Sequence, residues 1–297
     1  MLTTVIPTKN RPNDLIKAVT SILAQTRLPD ELIIVDQSFG IESRHMVESV
    51  VADQGFNKLI YIHDTTIKGL VDAKRVAYER ATGDIICFLE DDVILESCFI
   101  EQIDLGFSRC TEMLGCCGII INPPRQPRGY IFFYRLFHLG IFHDPRVKIY
   151  GSFKGLGHDL ILCDVLSGGL SAWRREVFSF IGFDVINQFF MMEDIDFSTR
   201  VVYHFGHLLY INPNARLAHY SSPVNRKSLG PRERQKICEY AIYYKKRARL
   251  HGATLAFIWV LLGLFIEAIL QTLRSRNNSP LVGFFSGLND GIKRKIK

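Results

Sequence analysis

The chain is 297 residues long, 47% of its residues are hydrophobic, and its formal net charge is +6. This length can hold one large α/β domain with an appendage, or two modest domains. Its seven cysteines show no C-x-x-C spacing, which argues against a paired-cysteine zinc site or a disulfide framework and predicts reduced thiols in a cytosolic protein.

Short apolar strands alternate with helices from the N-terminus to about residue 121. The predicted strands are TTVIPT, ELIIVD, KLIYIH, DIICFL and GCCGIII, with helices predicted from Pro12, over 42–52 and over 70–81. This alternation indicates a mostly parallel sheet with helices on both faces. Because the first strand begins at once, we expect no signal peptide. Ligands of such sheets bind beyond the carboxyl ends of the strands, where Asp36 and the acids 90–92 follow strands.

Regular structure is harder to predict after residue 121. Residues 122–163 contain four Pro and no sustained period, and we interpret them as a functional loop or lid. In LSGGLSAWRREVF, Gly168 and Gly169 predict a close backbone approach before a helix that begins near Arg174. Beyond it, MMEDIDFSTRVV predicts a helix opened by acids, HLLYI a strand and RLAHYSSPVNR a loop.

Two acid clusters and one late histidine have the chemistry of a site for a hard divalent cation. They are Glu90–Asp92, Glu193–Asp194 with Asp196, and His219. Adjacent carboxylates repel one another, and Mg²⁺ or Mn²⁺ would relieve that repulsion while a remaining carboxylate acted as a general base. Taken alone, the first cluster also fits a solvated turn, and the second fits acids that complement a helix dipole.

Four motifs, in the right order, resemble those of the inverting family 2 glycosyltransferases of the GT-A fold. They are TVIPTKNRPNDLIKAVTSILAQT, PDELIIVDQS, GLVDAKRVAYERATGDIICFLEDDV, and LSGGLSAWRREVFSFIGFDV followed by MMEDIDFSTRV. The resemblance covers about residues 2–223. It implies a GT-A glycosyltransferase domain, which we place at 1–230, and a nucleotide-sugar donor bound with Mg²⁺ or Mn²⁺.

The resemblance also assigns roles to individual residues. The nucleotide-sugar site would comprise Pro7, Thr8, Asn10, Asp36, Gln37, Lys74, Glu90, Asp91 and Asp92. Within it, Asp36 would contact the base or ribose, Lys74 the base or phosphate, and Asp91 is the acid best suited to a structural role.

The resemblance also implies which residues bind the metal, act as the general base and bind the acceptor. Asp92 and Glu90 would hold the metal together with His219. The alternative interpretation of His219 is a loop histidine that packs under the sheet. Asp194 would deprotonate the acceptor hydroxyl, with Glu193 orienting it. The acceptor side would be formed by Gly168, Gly169 and Trp173.

The chain also departs from the family pattern. Gln37 stands where relatives carry a second acid, which leaves the donor base open, and Glu90 lengthens the first position of the D-x-D motif. Lys74 stands in the place of the usual Arg. The Q-x-x-R-W motif of processive members is absent, which predicts the addition of a single sugar.

The C-terminal part of the chain is basic and apolar. Residues 226–297 hold 15 Lys and Arg against 4 Asp and Glu, whereas the preceding 225 residues hold 21 against 26. Such a tail predicts an anionic partner, either nucleic acid or lipid. No nucleic-acid motif accompanies it, and the apolar run Ala253–Leu273, about 30 Å long as a helix, favours lipid.

We therefore assign 231–297 as a helical membrane-associating region. Basic clusters flank both ends of the apolar run, and Glu267 is its only charge, so a helix resting on the anionic cytoplasmic leaflet is favoured over a spanning one. A third interpretation of the apolar run is a helix buried in the core or in a dimer interface. Aromatic residues that fit an interfacial belt are Tyr240, Tyr243, Tyr244, Phe257 and Trp259.

Together these features predict a membrane-associated, metal-dependent enzyme at the cytoplasmic face of the inner membrane. It would add one sugar to a lipid-linked or other glycan acceptor in cell-envelope polysaccharide or glycolipid synthesis, without binding nucleic acid. Whether it forms a homo-oligomer is left open. The basic residues of 122–163 could receive an acceptor pyrophosphate or form an ordinary surface loop; they are Arg125, Arg128, Arg135 and His138.

Two other functions remain open on the sequence. One is a sugar nucleotidyltransferase, although PTKNRP lacks the glycine-rich loop that such enzymes usually carry after the first strand. The other is a catalytically inactive, sugar-nucleotide-binding membrane scaffold.

Overall fold

A computed structural model describes residues 1–147, 157–224 and 227–296. Two compact units can be distinguished by their internal contacts. The N-terminal unit comprises Met1–Pro123 and Lys148–Val224, and the C-terminal unit comprises Pro124–Val147 and Asn225–Lys297. The predicted division at 230/231 had placed 124–147 in the first domain, whereas these residues pack with the C-terminal helices.

The described residues of the N-terminal unit form one nine-stranded sheet. Its strands are β1 Leu2–Thr8, β2 Glu31–Asp36, β3 Leu59–His63, β4 Ile85–Leu89, β5 Val93–Leu95, β6 Gly115–Ile120, β7 Ile161–Leu162, β8 Leu170–Arg174 and β9 Leu209–His219. The order across the sheet is β3-β2-β1-β4-β8-β6-β9-β5, and β7 pairs with β9. Strands β3, β2, β1 and β4 are parallel, whereas β8 is antiparallel to both of its neighbours.

The parallel half of the sheet follows from its apolar sequence. Every residue of β1, β2 and β4 is buried, as expected for strands covered on both faces. Helices that accompany the sheet are α1 Pro12–Leu23, α2 Glu42–Asp53, α3 Gly69–Arg80, α4 Phe99–Arg109, α6 Val177–Phe180 and α7 Glu193–Phe205. The predicted α/β class is confirmed.

Three predictions for the chain after residue 121 are corrected by the structure. The region 122–163 is not irregular throughout, because it contains the helix α5 Arg128–Phe137 and a 3₁₀ turn Gly140–Phe142; its residues 148–156 lie outside the described part. The helix predicted near Arg174 is the single turn α6, which begins only at Val177, because Arg174 ends strand β8, whose residues 170–174 pair with β4. The predicted loop RLAHYSSPVNR begins too early, because its first four residues continue β9 as far as His219, where that strand pairs with β5.

The C-terminal unit is helical. It contains α5, α8 Leu229–Arg247, α9 Ala253–Ser275 and α10 Ser279–Lys293, the last of which was not predicted. Helix α10 carries glycines every fourth residue, and a Cβ at Gly283 or Gly287 would collide with the backbone of α8. This spacing therefore allows the two helices to pack backbone against backbone.

The proposed aromatic belt is corrected by this packing. Tyr240, Tyr243 and Phe257 are buried among the helices of the unit, and only Tyr244 and Trp259 keep substantial exposure. Three of the five aromatic residues therefore belong to the core of the unit, and the five do not form a continuous interfacial band.

Candidate active site

The acids 90–92 lie at the carboxyl edge of the parallel strands. They follow β4 directly, and the neighbouring strands β1 and β2 end beside them at Thr8 and Asp36. Because parallel strands end at the same edge, residues far apart in sequence meet there. This edge forms the platform of the candidate site.

Asp91 is bonded within the protein through both of its carboxylate oxygens. Its carboxylate accepts hydrogen bonds from Thr8 Oγ1 at 2.7 Å and from Arg11 Nη1 at 2.9 Å. Burial raises the pKa of Asp91 to about 6, and the adjacent Arg11 guanidinium opposes that rise. The residue therefore ties the end of β4 to β1 and the loop that follows it. Its contact with the nucleotide sugar stays a prediction.

Glu90, Asp92 and His219 come together as one cluster. The antiparallel pairing of β5 with β9 sets Val93 opposite His219 and so brings the imidazole beside Asp92. His219 Nε2 lies 3.1 Å from Glu90 Oε2 and 3.1 Å from Asp92 Oδ1. The remaining carboxylate oxygen of Asp92, Oδ2, accepts the Ser222 N–H at 2.8 Å.

The electrostatics of this cluster require positive charge. Contacts with Asp92 and then Glu90 raise the pKa of His219 to about 10, so the imidazole is a cation between the two carboxylates. Burial alone would raise the pKa of Asp92, but His219 and the Ser222 N–H lower it below its ordinary value. In the protein without metal, the imidazolium thus offsets one of the two negative charges.

These three residues also fit a divalent metal ion. One ligand atom from each lies within 4.8 Å of the others. Two carboxylates and an imidazole suit Mn²⁺ and leave positions for phosphate oxygens, and an octahedral Mg²⁺ would use the same carboxylates. To bind the metal, His219 must lose its proton, since only the neutral imidazole is a ligand.

Lys74 does not face a nucleotide base or phosphate, which corrects its predicted role. Its ammonium is buried and donates to Glu193 Oε1 at 2.6 Å and to the Gly168 carbonyl at 2.8 Å. Burial raises the pKa of Glu193, and the Lys74 charge opposes that rise. Lys74 therefore anchors the second acid cluster from helix α3.

Asp194 is the accessible acid of the second cluster. It is partly exposed in the first turn of α7, where Oδ1 accepts the Ile195 N–H at 2.8 Å. Asp196, by contrast, is buried and paired with Arg200 at 2.9 Å. Of these two aspartates, only Asp194 has a partly exposed side chain.

Gly168 and Gly169 separate the two acid clusters. A Cβ on Gly168 would collide with Glu193 Oε1, and a Cβ on Gly169 would collide with the Glu90 carboxyl group. The Gly169 carbonyl also accepts the Glu90 N–H at 3.0 Å. The two glycines therefore leave room for one acid each, and they place the two clusters next to one another.

Trp173 does not line an acceptor site, which corrects the third acceptor-side prediction. It is 2% exposed in the hydrophobic core, and its ring packs edge-on against Phe197. The indole N–H donates to Ser171 Oγ at 3.0 Å. Its role is to fill the core beneath α7.

The predicted nucleotide side is preorganised by internal hydrogen bonds. Asp36 is fully buried, and its carboxylate accepts from the Ser38 N–H at 2.8 Å and from Tyr61 Oη at 2.6 Å. Gln37 Oε1 accepts the Gly69 N–H at 3.1 Å. Direct contact of Asp36 with base or ribose stays a prediction, as does that of Gln37.

The loop after β1 is fixed in the same way. Asn10 has a φ of 54°, a left-handed conformation that asparagine tolerates, and its N–H donates to Ser38 Oγ at 2.6 Å. Pro7 is buried in β1. Whether Pro7 and Asn10 line the nucleotide pocket also remains a prediction.

Sequence reasoning missed Arg11 and Tyr61. Arg11 is the cation nearest Asp91, and its Nη2 also donates to the Val224 carbonyl at 2.9 Å. The signal was a basic residue next to the predicted nucleotide loop. Tyr61 gave no signal, because its alternating position in β3 fits any partly covered strand.

Comparison with known proteins gives consistent results. A family model described as glycosyl transferase family 2 matches residues 3–179. No curated protein is significantly similar to the chain in sequence.

Solved structures share the fold at low sequence identity. The mannosyltransferase PcManGT from Pyrobaculum calidifontis, in complex with GDP-Man and Mn²⁺, is 12% identical over 98% of this chain and 87% of its own, with a TM-score of 0.61. S. aureus TarS 1-349 is 12% identical over 98% and 80%, with a TM-score of 0.62, and its UDP-GlcNAc complex gives 0.60. The fold of the chain is therefore that of the GT-A glycosyltransferases.

Proposed function

The chain belongs to glycosyltransferase family 2, and we propose that it transfers one sugar from a nucleotide-sugar donor to a glycan acceptor with inversion at the anomeric carbon. The observation that carries this proposal is the meeting of two acid clusters at Gly168 and Gly169. One cluster has a metal-binding donor set, and the other offers a partly exposed carboxylate. A single displacement needs these two parts: one to stabilise the leaving diphosphate and one to accept the acceptor's proton.

Each residue has a distinct part in the proposed reaction. Asp194 accepts the proton of the acceptor hydroxyl while the hydroxyl oxygen attacks the anomeric carbon from the face opposite the leaving nucleoside diphosphate. Glu193, fixed by Lys74, holds the start of α7 and so orients Asp194. A divalent ion held by Asp92, Glu90 and His219 would neutralise the nucleoside diphosphate as it leaves.

The donor base stays open in this proposal. The solved relatives bind GDP-Man and UDP-GlcNAc, so the shared fold is compatible with more than one base. Gln37 brings no charge and can face either kind of base edge. Single addition is proposed because the motif of processive members is absent.

We further propose that the enzyme works at the cytoplasmic face of the inner membrane on a lipid-linked acceptor. Among the described residues, α9 is the one helix that is long and apolar enough to cross a bilayer. A third of its most apolar stretch is buried in the C-terminal unit. Its charge Glu267 bonds Lys236 of α8 at 3.1 Å, which favours a helix resting on the surface over one that spans. His138, once a candidate for the acceptor pyrophosphate, is excluded: burial lowers its pKa to about 4, and it bonds Tyr240.

The test is a screen of nucleotide sugars for Mn²⁺-dependent release of nucleoside diphosphate. We expect Asp194→Asn to lower turnover by about 10²–10⁴-fold. The donor should still raise the melting temperature of this variant. Asp53→Asn, an exposed aspartate on α2, is the matched control and should behave as wild type. Near-normal turnover of Asp194→Asn would remove it as the base. Binding without turnover by the wild type would favour the scaffold, and transfer of a nucleotidyl group would favour the nucleotidyltransferase.

A further inference from the structure

The C-terminal unit exposes apolar residues on α5 as well as on α9. Phe132 is 69% exposed and Leu136 is 42% exposed, and their spacing of four places them on the same side of α5. Leu139, just beyond the helix, is also exposed. Three neighbouring large apolar side chains in water are costly unless another surface covers them.

Helix α5 is held firmly against α9. The Trp259 indole N–H donates to the Leu136 carbonyl at 2.7 Å, and the Trp259 ring stacks on Phe137 at 5.0 Å between centroids. Gly263 lies against the Phe137 ring, where a Cβ would collide with it. The bond from Trp259 also satisfies a carbonyl in the last turn of α5, which would otherwise need water.

Helix α9 presents its own apolar stripe. Leu255, Ile258, Leu262 and Leu273 are exposed and recur at helical spacing on one side. Val260, Leu264 and Ala268 are buried on the other side, and Glu267 is directed to its partner Lys236. The exposed stripe therefore carries no charge of its own.

The charge of the C-terminal unit is strongly positive and uncompensated. The unit contains 19 Lys and Arg against 5 Asp and Glu, a net charge of +14 with His neutral. All five carboxylates are bonded to side chains of the same unit: Asp144 to Arg146, Glu233 and Glu267 to Lys236, Asp290 to Arg234, and Glu239 to Gln235. The surplus is cationic, and Arg128 and Arg135 are exposed on the same helix as Phe132.

We infer that α5 is a second lipid-contacting element, which lies with α9 on an anionic bilayer. Phe132 and Leu136 enter the boundary of the acyl chains, while Arg128 and Arg135 extend to the phosphates of the headgroups. This inference rests on the membrane association proposed above. A second copy of the chain is a poorer occupant, because two units of +14 would repel each other.

The experiment is sedimentation of the full-length chain with vesicles of phosphatidylcholine, alone or mixed with phosphatidylglycerol. We expect wild type to bind the anionic vesicles more tightly, and the double variant Phe132→Ser/Leu136→Ser to bind them about tenfold more weakly or worse, since two buried apolar side chains are lost. Tyr203→Ser, which removes an 88% exposed aromatic of the N-terminal unit, is the matched control and should bind as wild type. Phe132→Leu should keep most of the binding, and circular dichroism should show all variants folded.

The outcomes distinguish failure of this inference from failure of the proposed membrane association. If wild type binds neither vesicle, the membrane association itself fails, and a dimer in solution would identify a second copy as the occupant. If wild type binds but the α5 double variant binds equally well, α5 does not contact lipid and only this inference fails. Equal binding to neutral and anionic vesicles would remove the role of the basic residues.

Discussion

Lys74 Nζ lies 2.6 Å from Glu193 Oε1, and the two side chains are only 3% and 8% exposed although 119 residues separate them in sequence. A buried charge without its partner is far more costly than a buried pair. This ion pair therefore links α3 to the start of α7, where Asp194 lies. Its integrity sets the position of the proposed base.

Replacing Lys74 by Met should destabilise the protein by about 3–5 kcal/mol, because Glu193 and the Gly168 carbonyl lose their buried cation. The double variant Lys74→Met/Glu193→Leu should recover much of that loss, since no uncompensated charge is left. Urea unfolding of the wild type, both single variants and the double variant gives the coupling free energy. A coupling energy near zero would mean that the pair contributes nothing to stability.

Gly169→Ala should weaken Mn²⁺ binding by about 10–100-fold, the usual range when the support of a metal ligand is disturbed. The added Cβ collides with the carboxyl group of Glu90, which must then leave the cluster with Asp92 and His219. Isothermal titration with Mn²⁺ in the absence of donor measures this directly. Gly129→Ala, at a glycine with open space around it, is the control. Unchanged affinity in Gly169→Ala would remove Glu90 from the metal site.

The parallel half of the fold was predictable because its strands are continuous apolar runs. ELIIVD was predicted as a strand over Glu31–Asp36 and is one, with every residue buried. By contrast, LSAWR is a five-residue stretch next to charged residues, and its antiparallel pairing with β4 and β6 makes it a strand. Strand β9 was predicted too short for the same reason, because its second half is fixed by pairing with β5 and β6.

The site divides in the same way. Glu90, Asp92 and His219 were predicted together from the order of motifs, and the structure brings them together. Lys74 was assigned to the nucleotide because its helix position matches a family arginine, and no local pattern reveals a partner as distant as Glu193. Trp173 was assigned to the acceptor side from the resemblance, and its burial follows from strand β8, which was not predicted and is covered on both faces.

Stability should depend on pH through His138. Burial lowers its pKa to about 4, against about 6.5 in the unfolded chain, so between these values the unfolded state binds the extra proton. The contribution of His138 to the free energy of unfolding is therefore fully present above pH 6.5. It falls by about 3 kcal/mol as the pH is lowered to 4. We expect the fall in urea midpoint between pH 7 and pH 4.5 to be smaller in His138→Gln. An equal fall in both proteins would show that the pKa of His138 is not lowered in the folded state.

Helix α9 should lie along the membrane surface with both of its ends on the cytoplasmic side. Its charge Glu267 is bonded within the unit, and basic residues flank both ends, so neither end is favoured for transfer across the bilayer. Cysteines placed at the exposed positions His251 and Arg276 should therefore react equally with an impermeant maleimide in inside-out membrane vesicles, with mass spectrometry locating the label. Tyr203→Cys, exposed on the N-terminal unit, gives the labelling level of the cytoplasmic side. Protection of one end alone would establish α9 as a spanning helix, and protection of both would indicate a buried one.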